Sequence, residues 1–238
     1  MADVYEAKTI GEIIKGNPYV GRGIVCGLTA DGGRAVFAYF IMGRSENSRN
    51  RVFIEEGDDL RTAPFDPAKV KDPSLIIYYP VRTMKDGVIV TNGDQTDTVK
   101  EFLSRGRSFS DALATREFEP DAPNFTPRIS ARLNYEPFTY EMSILKSADA
   151  AGTGCNRFTF SYSPVPGIGH FLHTYETDGD PIPTFRGEPE RVILQDSVRE
   201  LSYDIWENLD PDNKISLYVR YIDLKAGRYD RELINKYK

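Results

Sequence analysis

The chain has 238 residues, 40% of them hydrophobic and 28% charged, which suits a soluble globule large enough to bury its own core. Thirty basic side chains against thirty-six acidic ones leave a net charge of −6. That excludes broad nucleic-acid binding or adhesion to an anionic membrane, where positive charge supplies most of the affinity. The two cysteines, Cys26 and Cys155, are far apart without ligand spacing and read as reduced thiols. The opening Met-Ala-Asp-Val-Tyr-Glu has no basic segment followed by an apolar run, so a cytoplasmic protein without targeting or membrane segment is expected.

In chain order, Thr9-Ile-Gly-Glu12 is a capping box, and Ile10, Ile13 and Ile14 give a short apolar helix face that Gly16 can end. The apolar runs 24–28 and 35–42 flank Asp31-Gly32-Gly33, which predicts a hairpin buried on both faces or nearly so. Residues 43–51 contain no apolar side chain but hold Arg44, Arg49 and Arg51. Guanidinium groups take phosphate or carboxylate in paired hydrogen bonds, so this loop reads either as an anion site or as a solvated turn. Val52-Phe-Ile54 resumes a strand, and residues 57–72 form a long polar connection. The run 75–79 predicts another buried strand ending at Pro80, and Lys85-Asp86-Gly87 a turn.

Residues 87–103 carry the densest local signal. Val88, Ile89 and Val90 predict a buried strand, which Asn92-Gly93 breaks. Thr96, Asp97 and Thr98 are N-cap residue types, and Glu101 stands at capping-box spacing from Thr98, so a helix is expected from near Asp97 to Gly106. A strand turning into a helix start aims unpaired N–H groups at one point, which reads as a ligand cradle or as an ordinary capped connection. A second helix is expected from Ser110 to about Phe118, and residues 119–128 form an extended proline-rich segment. Strands follow at 129–133, 138–145, 157–162 and 170–175. His170 and His173 fall on opposite faces of the last of these, so no metal site is expected from them. Asp196 or Ser197 caps a helix with the stripe Val198, Leu201, Ile205 and Leu209, and 216–224 is a final strand before a charged tail. The whole, 1–238, reads as a single α+β layered domain with mostly antiparallel sheets.

Gly43-Arg-Ser with Asn50-Arg51, the segment Val90-Thr-Asn-Gly-Asp-Gln-Thr-Asp-Thr98, and Asn124-Phe-Thr-Pro-Arg-Ile129 resemble, in this order and spacing, the archaeal-type inosine-monophosphate cyclohydrolase family. Tyr19-Val-Gly-Arg-Gly23 and Thr174-Tyr175 are similar too, so the likeness spans residues 19–175. It implies a four-layer αββα sandwich similar to the N-terminal-nucleophile hydrolases. It also implies an enzyme acting on cyclic amidines, which closes a formamido-imidazole-carboxamide ribonucleotide to inosine monophosphate and water in purine synthesis. No metal or organic cofactor is implied. The expected partner is a small-molecule purine nucleotide, with no nucleic acid or membrane, and the chain is expected to be a homo-oligomer.

Carried over by position, the catalytic residues implied are Arg51, Tyr78 (with Tyr79 open, because the register is ambiguous by one) and Glu119. Substrate contacts are expected from Arg22, Arg44, Ser45, Asn50, Asn92, Gly93, Thr96, Asp97, Thr126 and Arg128. Archaeal members have Ser-His where this chain has Asp94-Gln95, so that pair is given no catalytic role. Residue chemistry alone allows blander roles: a core tyrosine, a solvated carboxylate, an exposed ion pair. Two rival functions share the pocket or the fold: a non-catalytic purine-nucleotide-binding protein, and an amide hydrolase with an N-terminal nucleophile. The latter needs Cys, Ser or Thr at a mature N-terminus, whereas the chain opens Met-Ala-Asp.

Overall fold

The computed structural model describes residues 5–70 and 77–237. The first hairpin forms as the sequence predicts: β1 (Arg22–Leu28) and β2 (Arg34–Met42) pair antiparallel. In its turn, Asp31 Oδ1 accepts from the Thr29 hydroxyl at 2.5 Å and from the Gly33 N–H at 2.9 Å. Both faces are buried because both are covered. Ile24, Cys26, Phe37, Tyr39 and Ile41 point to one side, Val25, Val36, Ala38 and Phe40 to the other. This is the period of two along a strand, used twice.

Around the hairpin, β10 (Ile168–His173), β11 (Glu190–Ile193), β12 (Lys214–Asp223) and β13 (Tyr229–Asn235) complete a six-stranded sheet in the order β11-β10-β1-β2-β12-β13. The second sheet has seven strands in sequence order: β3 (Val52–Glu56), β4 (Asp59–Ala63), β5 (Val81–Met84), β6 (Gly87–Thr91), β7 (Arg128–Tyr135), β8 (Phe138–Ser147) and β9 (Cys155–Tyr162). Every strand pairing within the two sheets is antiparallel. The inner faces meet in a core of Phe37, Tyr39, Val88, Val90, Ala131 and Met142 among others. Each of the buried Val, Phe and Met side chains contributes about 1.5–3 kcal/mol by leaving water.

The outer faces carry helices. α1 (Ile10–Ile14) opens with the Thr9–Glu12 capping box, and α5 (Val198–Asn208) is capped by Ser197, whose hydroxyl accepts from the Glu200 N–H at 3.2 Å. Leu201, Ile205 and Leu209 of that helix region pack with Ile10 and Ile14 on the six-stranded sheet. α3 (Gln95–Ser104) and α4 (Phe109–Ala114) cover the seven-stranded sheet, packing Val99, Phe109 and Leu113 on Ile89 and Leu145. The result is the expected αββα layering. Among the described residues no helix is long and apolar enough to cross a membrane.

Several expectations need correction, each for a physical reason. α3 starts at Gln95, so Thr98 and Glu101 lie inside it and form no capping box. Its N-cap is Asp94, whose carboxylate makes no cap bond and is instead taken by Arg116 at 2.5 Å and Arg128 at 2.7 Å. α4 begins after Ser108, whose hydroxyl accepts from the Asp111 N–H at 3.0 Å, and ends at Ala114 well short of Phe118. There the Arg116 carbonyl turns away to accept from the Arg157 guanidinium at 2.9 and 3.2 Å.

The predicted buried strand at 75–79 lies partly outside the described residues. Its described end is irregular, with Ile77 41% exposed and the ladder resuming only after Pro80. The polar connection hides β4, in which Leu60, Thr62 and Ala63 are buried among charged neighbours. The charged tail is β13, and β11 also escaped the sequence pattern. Both are edge strands, which in natural sheets carry polar and charged residues.

Gly21 fixes how the chain enters β1. Its φ is +77°, and a Cβ there would lie 2.1 Å from Thr174 Oγ1 and 2.6 Å from the Tyr175 ring. Gly21→Ala should therefore destabilise the fold by about 1–3 kcal/mol. The expected result is a lower urea midpoint at unchanged slope; an unchanged midpoint would contradict the strained geometry.

Candidate active site

A cavity of about 320 Å³, within the range of small-molecule sites, gathers residues from segments far apart in sequence. Tyr19 and Arg22 come from the entry to β1, Arg44, Ser45, Asn47, Ser48 and Arg51 from the polar arginine loop, and Glu119, Asp121, Asn124 and Thr126 from the proline-rich segment. Tyr175 and Ile182 close the wall beyond β10.

The loop contains a short helix, α2 (Glu46–Arg49), which the sequence pattern did not reveal. Ser45 starts it by accepting from the Ser48 N–H at 3.1 Å. Gly43 lets the loop fold back on itself, since a Cβ there would lie 2.8 Å from the Ser48 backbone. One turn of helix then sends the three arginines in different directions. Arg49 donates to the Gly43 carbonyl at 3.0 Å and to Asn213 Oδ1 at 2.9 Å, while Arg44 and Arg51 reach the cavity.

Arg22 is 8% exposed and Arg51 4% exposed. Arg51 Nε donates to the Ser48 carbonyl at 3.0 Å, and its Nη1 has no partner among the described residues. Among the described residues the Arg22 side chain makes no hydrogen bond or direct ion pair, and neither does the Glu119 carboxylate, at 6% exposure. Only the backbone of Glu119 is tied, its N–H donating to the Thr126 carbonyl at 2.9 Å. Unpaired charges at this depth cost several kcal/mol in ordinary protein interiors.

The electrostatics follow from that arrangement. Burial raises the Glu119 carboxyl above its ordinary value, against the pull of Arg22, Arg128 and Arg51, and with reinforcement from Asp121. Burial and then the repulsion of Arg22 lower the Arg51 guanidinium. For Arg22, burial acts downward, but the attraction of Glu119 and the surrounding phenols outweighs it and the group is held above its usual value.

Tyr78 and Tyr79 are placed differently, and neither lines the cavity itself. Tyr78 is buried within the field of Arg22 and Arg51, its hydroxyl 2.9 Å from that of Tyr39. Burial, then the neighbouring Tyr78, push the Tyr39 phenol well above its usual value, so it stays protonated. Tyr79 turns elsewhere, donating to Glu56 at 2.6 Å beneath the Arg82 guanidinium.

Thr126 links the walls. Its hydroxyl donates to Asp121 Oδ2 at 2.5 Å and accepts from the Tyr175 hydroxyl at 2.5 Å. Tyr175 stacks on Tyr19, and Arg44 lies 5.4 Å above the Tyr19 ring.

The remaining expected contacts stand behind the cavity or away from it. Asn92 accepts from the Ile129 N–H and donates to the Pro127 carbonyl, and the Thr96 hydroxyl meets that of Thr91. Gly93 makes room for Arg128, whose Nη1 would lie 2.4 Å from a Cβ there. Arg128 donates to Gln95 at 2.7 Å and pairs with Asp94, yet its charge still reaches Glu119. Asp97 pairs with Arg82, and Asn50 exchanges hydrogen bonds with the Asp66 backbone. Tyr19, Asn47, Ser48, Asp121, Asn124, Tyr175 and Ile182 line the cavity without having been expected as contacts, and Tyr39 meets Tyr78 behind it. Asp121 and Asn124, polar residues between prolines in a rigid segment, had a signal; Tyr39, inside an unbroken apolar run, had none.

Residues 19–227 match the family described as IMP cyclohydrolase-like protein, a span that encloses every cavity-lining residue named above. The chain is similar to the IMP cyclohydrolase of Methanopyrus kandleri, at 28% identity over 181 residues covering 70% of this chain and 89% of the relative. It is also similar to that of Methanococcus aeolicus, at 31% over 165 residues covering 66% and 74%. The IMP cyclohydrolase of Methanocella arvoryzae is 34% identical over 118 residues, 48% of this chain and 56% of the relative.

Because Arg22 holds the Glu119 carboxyl down against burial, Arg22→Met should raise it further. Carboxyl-carbon NMR titration is expected to find Glu119 above the ordinary glutamate value in the native chain and higher still in the variant. A downward shift in the variant would contradict the charge arrangement.

Proposed function

Since the chain belongs to the IMP cyclohydrolase-like family, we propose that it closes 5-formamidoimidazole-4-carboxamide ribonucleotide to inosine monophosphate with release of water, the ring-closing step of purine synthesis in the cytoplasm. The observation that carries this reading is the convergence of Arg22, Arg51 and Glu119, buried and without direct ion pairs among the described residues, on one cavity beside Tyr78.

The reaction joins two groups of one molecule, so much of the proximity advantage lies in the substrate once its rotamer is fixed. The carboxamide nitrogen attacks the formyl carbon, the new C–N bond forms, and the formyl oxygen becomes an oxyanion and then a hydroxyl. The C–O bond then breaks. Water leaves with one proton from the carboxamide and one from the formamido N–H, and the product keeps the other carboxamide proton on the ring.

Glu119 is the base in this scheme. Burial raises its basicity, and no hydrogen bond must be broken before it takes the carboxamide proton and returns it to the departing hydroxyl. Arg51 and Tyr78 donate to the oxyanion, a role worth about 3–4 kcal/mol per donor in other enzymes. Tyr39 is a positioning residue in this scheme: its hydroxyl lies 2.9 Å from that of Tyr78, and with Tyr39 as the donor of that pair the Tyr78 proton is left for the oxyanion. Arg22 balances the Glu119 charge without quenching it. A pure binding protein has no use for a buried base placed next to oxyanion donors, which favours turnover over binding alone.

Incubating purified protein with the formylated substrate and following the purine absorbance tests the reading. Glu119→Gln should lower kcat by about 10²- to 10⁴-fold with product affinity largely kept. Lost product affinity with undiminished turnover of bound substrate would contradict the base role. Because the active form is the carboxylate and its pKa is raised, activity should fall as the pH drops, with a midpoint above that of an ordinary glutamate. An acidic limb that persists unchanged in Glu119→Gln would assign it to another group.

A further inference from the structure

Resting on the reading above for its ligand, we propose that Asp178 holds the rim arginine as a built-in competitor that the ligand's phosphate must displace, and so lowers affinity for phosphorylated ligands alone. Of the three arginines lining the cavity among the described residues, Arg22 and Arg51 lie deep, facing Glu119. A phosphate dianion there would lose its hydration and sit against a carboxylate. Arg44 differs. Its side chain is 34% exposed, so a phosphate beside it keeps part of its water while an uncharged base occupies the deeper end.

Arg44 is already engaged. Its Nη1 donates to the Asp178 carboxylate and to the Gly179 carbonyl at 2.9 Å, while Nε and Nη2 have no partner among the described residues. The guanidinium lies over Tyr19, which stacks on Tyr175, so the cation is held at the rim by aromatic contact as well as by Asp178. Asp178 is 42% exposed and also accepts from the Gly179 N–H at 2.9 Å, so it can release Arg44 and remain solvated.

A phosphate dianion brings more charge and more acceptor oxygens than one carboxylate, and takes Arg44 from Asp178. A ligand without phosphate leaves the pair closed and gains nothing from Arg44. The built-in competitor therefore lowers affinity for phosphorylated ligands and leaves phosphate-free ones untouched.

Calorimetric titration of the full chain with inosine monophosphate, inosine and ribose 5-phosphate tests this. Asp178→Asn should bind both phosphorylated ligands about two- to five-fold tighter, with inosine unchanged. Arg44→Leu should weaken inosine monophosphate by about ten- to hundred-fold and erase its advantage over inosine, and Arg44→Lys should restore part of that advantage. Weaker nucleotide binding by Asp178→Asn would overturn the proposal, since Asp178 would then be orienting Arg44. Equal shifts for inosine and its monophosphate in either variant would overturn it as well. Wild-type protein that binds ribose 5-phosphate as tightly as inosine monophosphate, with the Asp178→Asn gain intact, would uphold the Asp178 role and remove the purine reading beneath it.

Discussion

Two buried guanidinium groups facing a buried carboxylate, none of them in direct contact, are the constraint on which the rest of this structure depends. Left to relax, Arg22 and Glu119 would gain energy by closing into an ion pair, and Arg51 would gain by moving away from Arg22. The fold prevents both. Arg22 starts β1 behind the left-handed turn at Gly21, Arg51 is tied by Nε to the end of a one-turn helix, and Glu119 sits in a proline-rich segment closed by a backbone bond to Thr126. The strain of holding these charges apart is carried by a large double-sheet core, which has the buried apolar surface to offset it.

That division of labour explains why loops form the site while the sheets only carry it. The hairpin β1–β2 runs through the middle of the six-stranded sheet and is covered on both faces, so the Arg22 and Arg44 ends of its strands are anchored as firmly as any part of the molecule. Against that frame, each loop needs only a few local devices to aim a side chain. Gly43 permits close backbone approach, Ser45 caps one turn, and Asp121 holds Thr126 by backbone and hydroxyl together. Arg128, reached through Gly93, Asp94 and Gln95, adds a fixed positive charge behind Glu119 without touching the cavity.

Much of the fold was legible because local chemistry and tertiary demand agreed. The Asp31-Gly32-Gly33 hairpin, the Thr9 capping box and the α5 stripe all formed as their residues predict. Where long-range partners outbid local preference, the pattern misled. Asp94 gave its carboxylate to Arg116 and Arg128 and so became an N-cap without a cap bond, moving the start of α3. Edge strands β11 and β13 had no apolar alternation to betray them. In the cavity, Arg22, Arg44, Ser45, Arg51, Glu119 and Thr126 come together, each marked in the sequence by a polar residue in a distinctive setting. Tyr39 shows the limit, because a phenol in a strand buried on both faces looks like core until its hydroxyl is seen meeting that of Tyr78.

The most direct test is a crystal structure of the chain with inosine monophosphate bound. The account predicts the six-membered ring of the purine between Arg22, Arg51 and Glu119, with its oxygen within hydrogen-bond reach of a guanidinium and Tyr78 alongside. A nucleotide bound at another surface, with Arg22 and Glu119 closed onto each other, would contradict it.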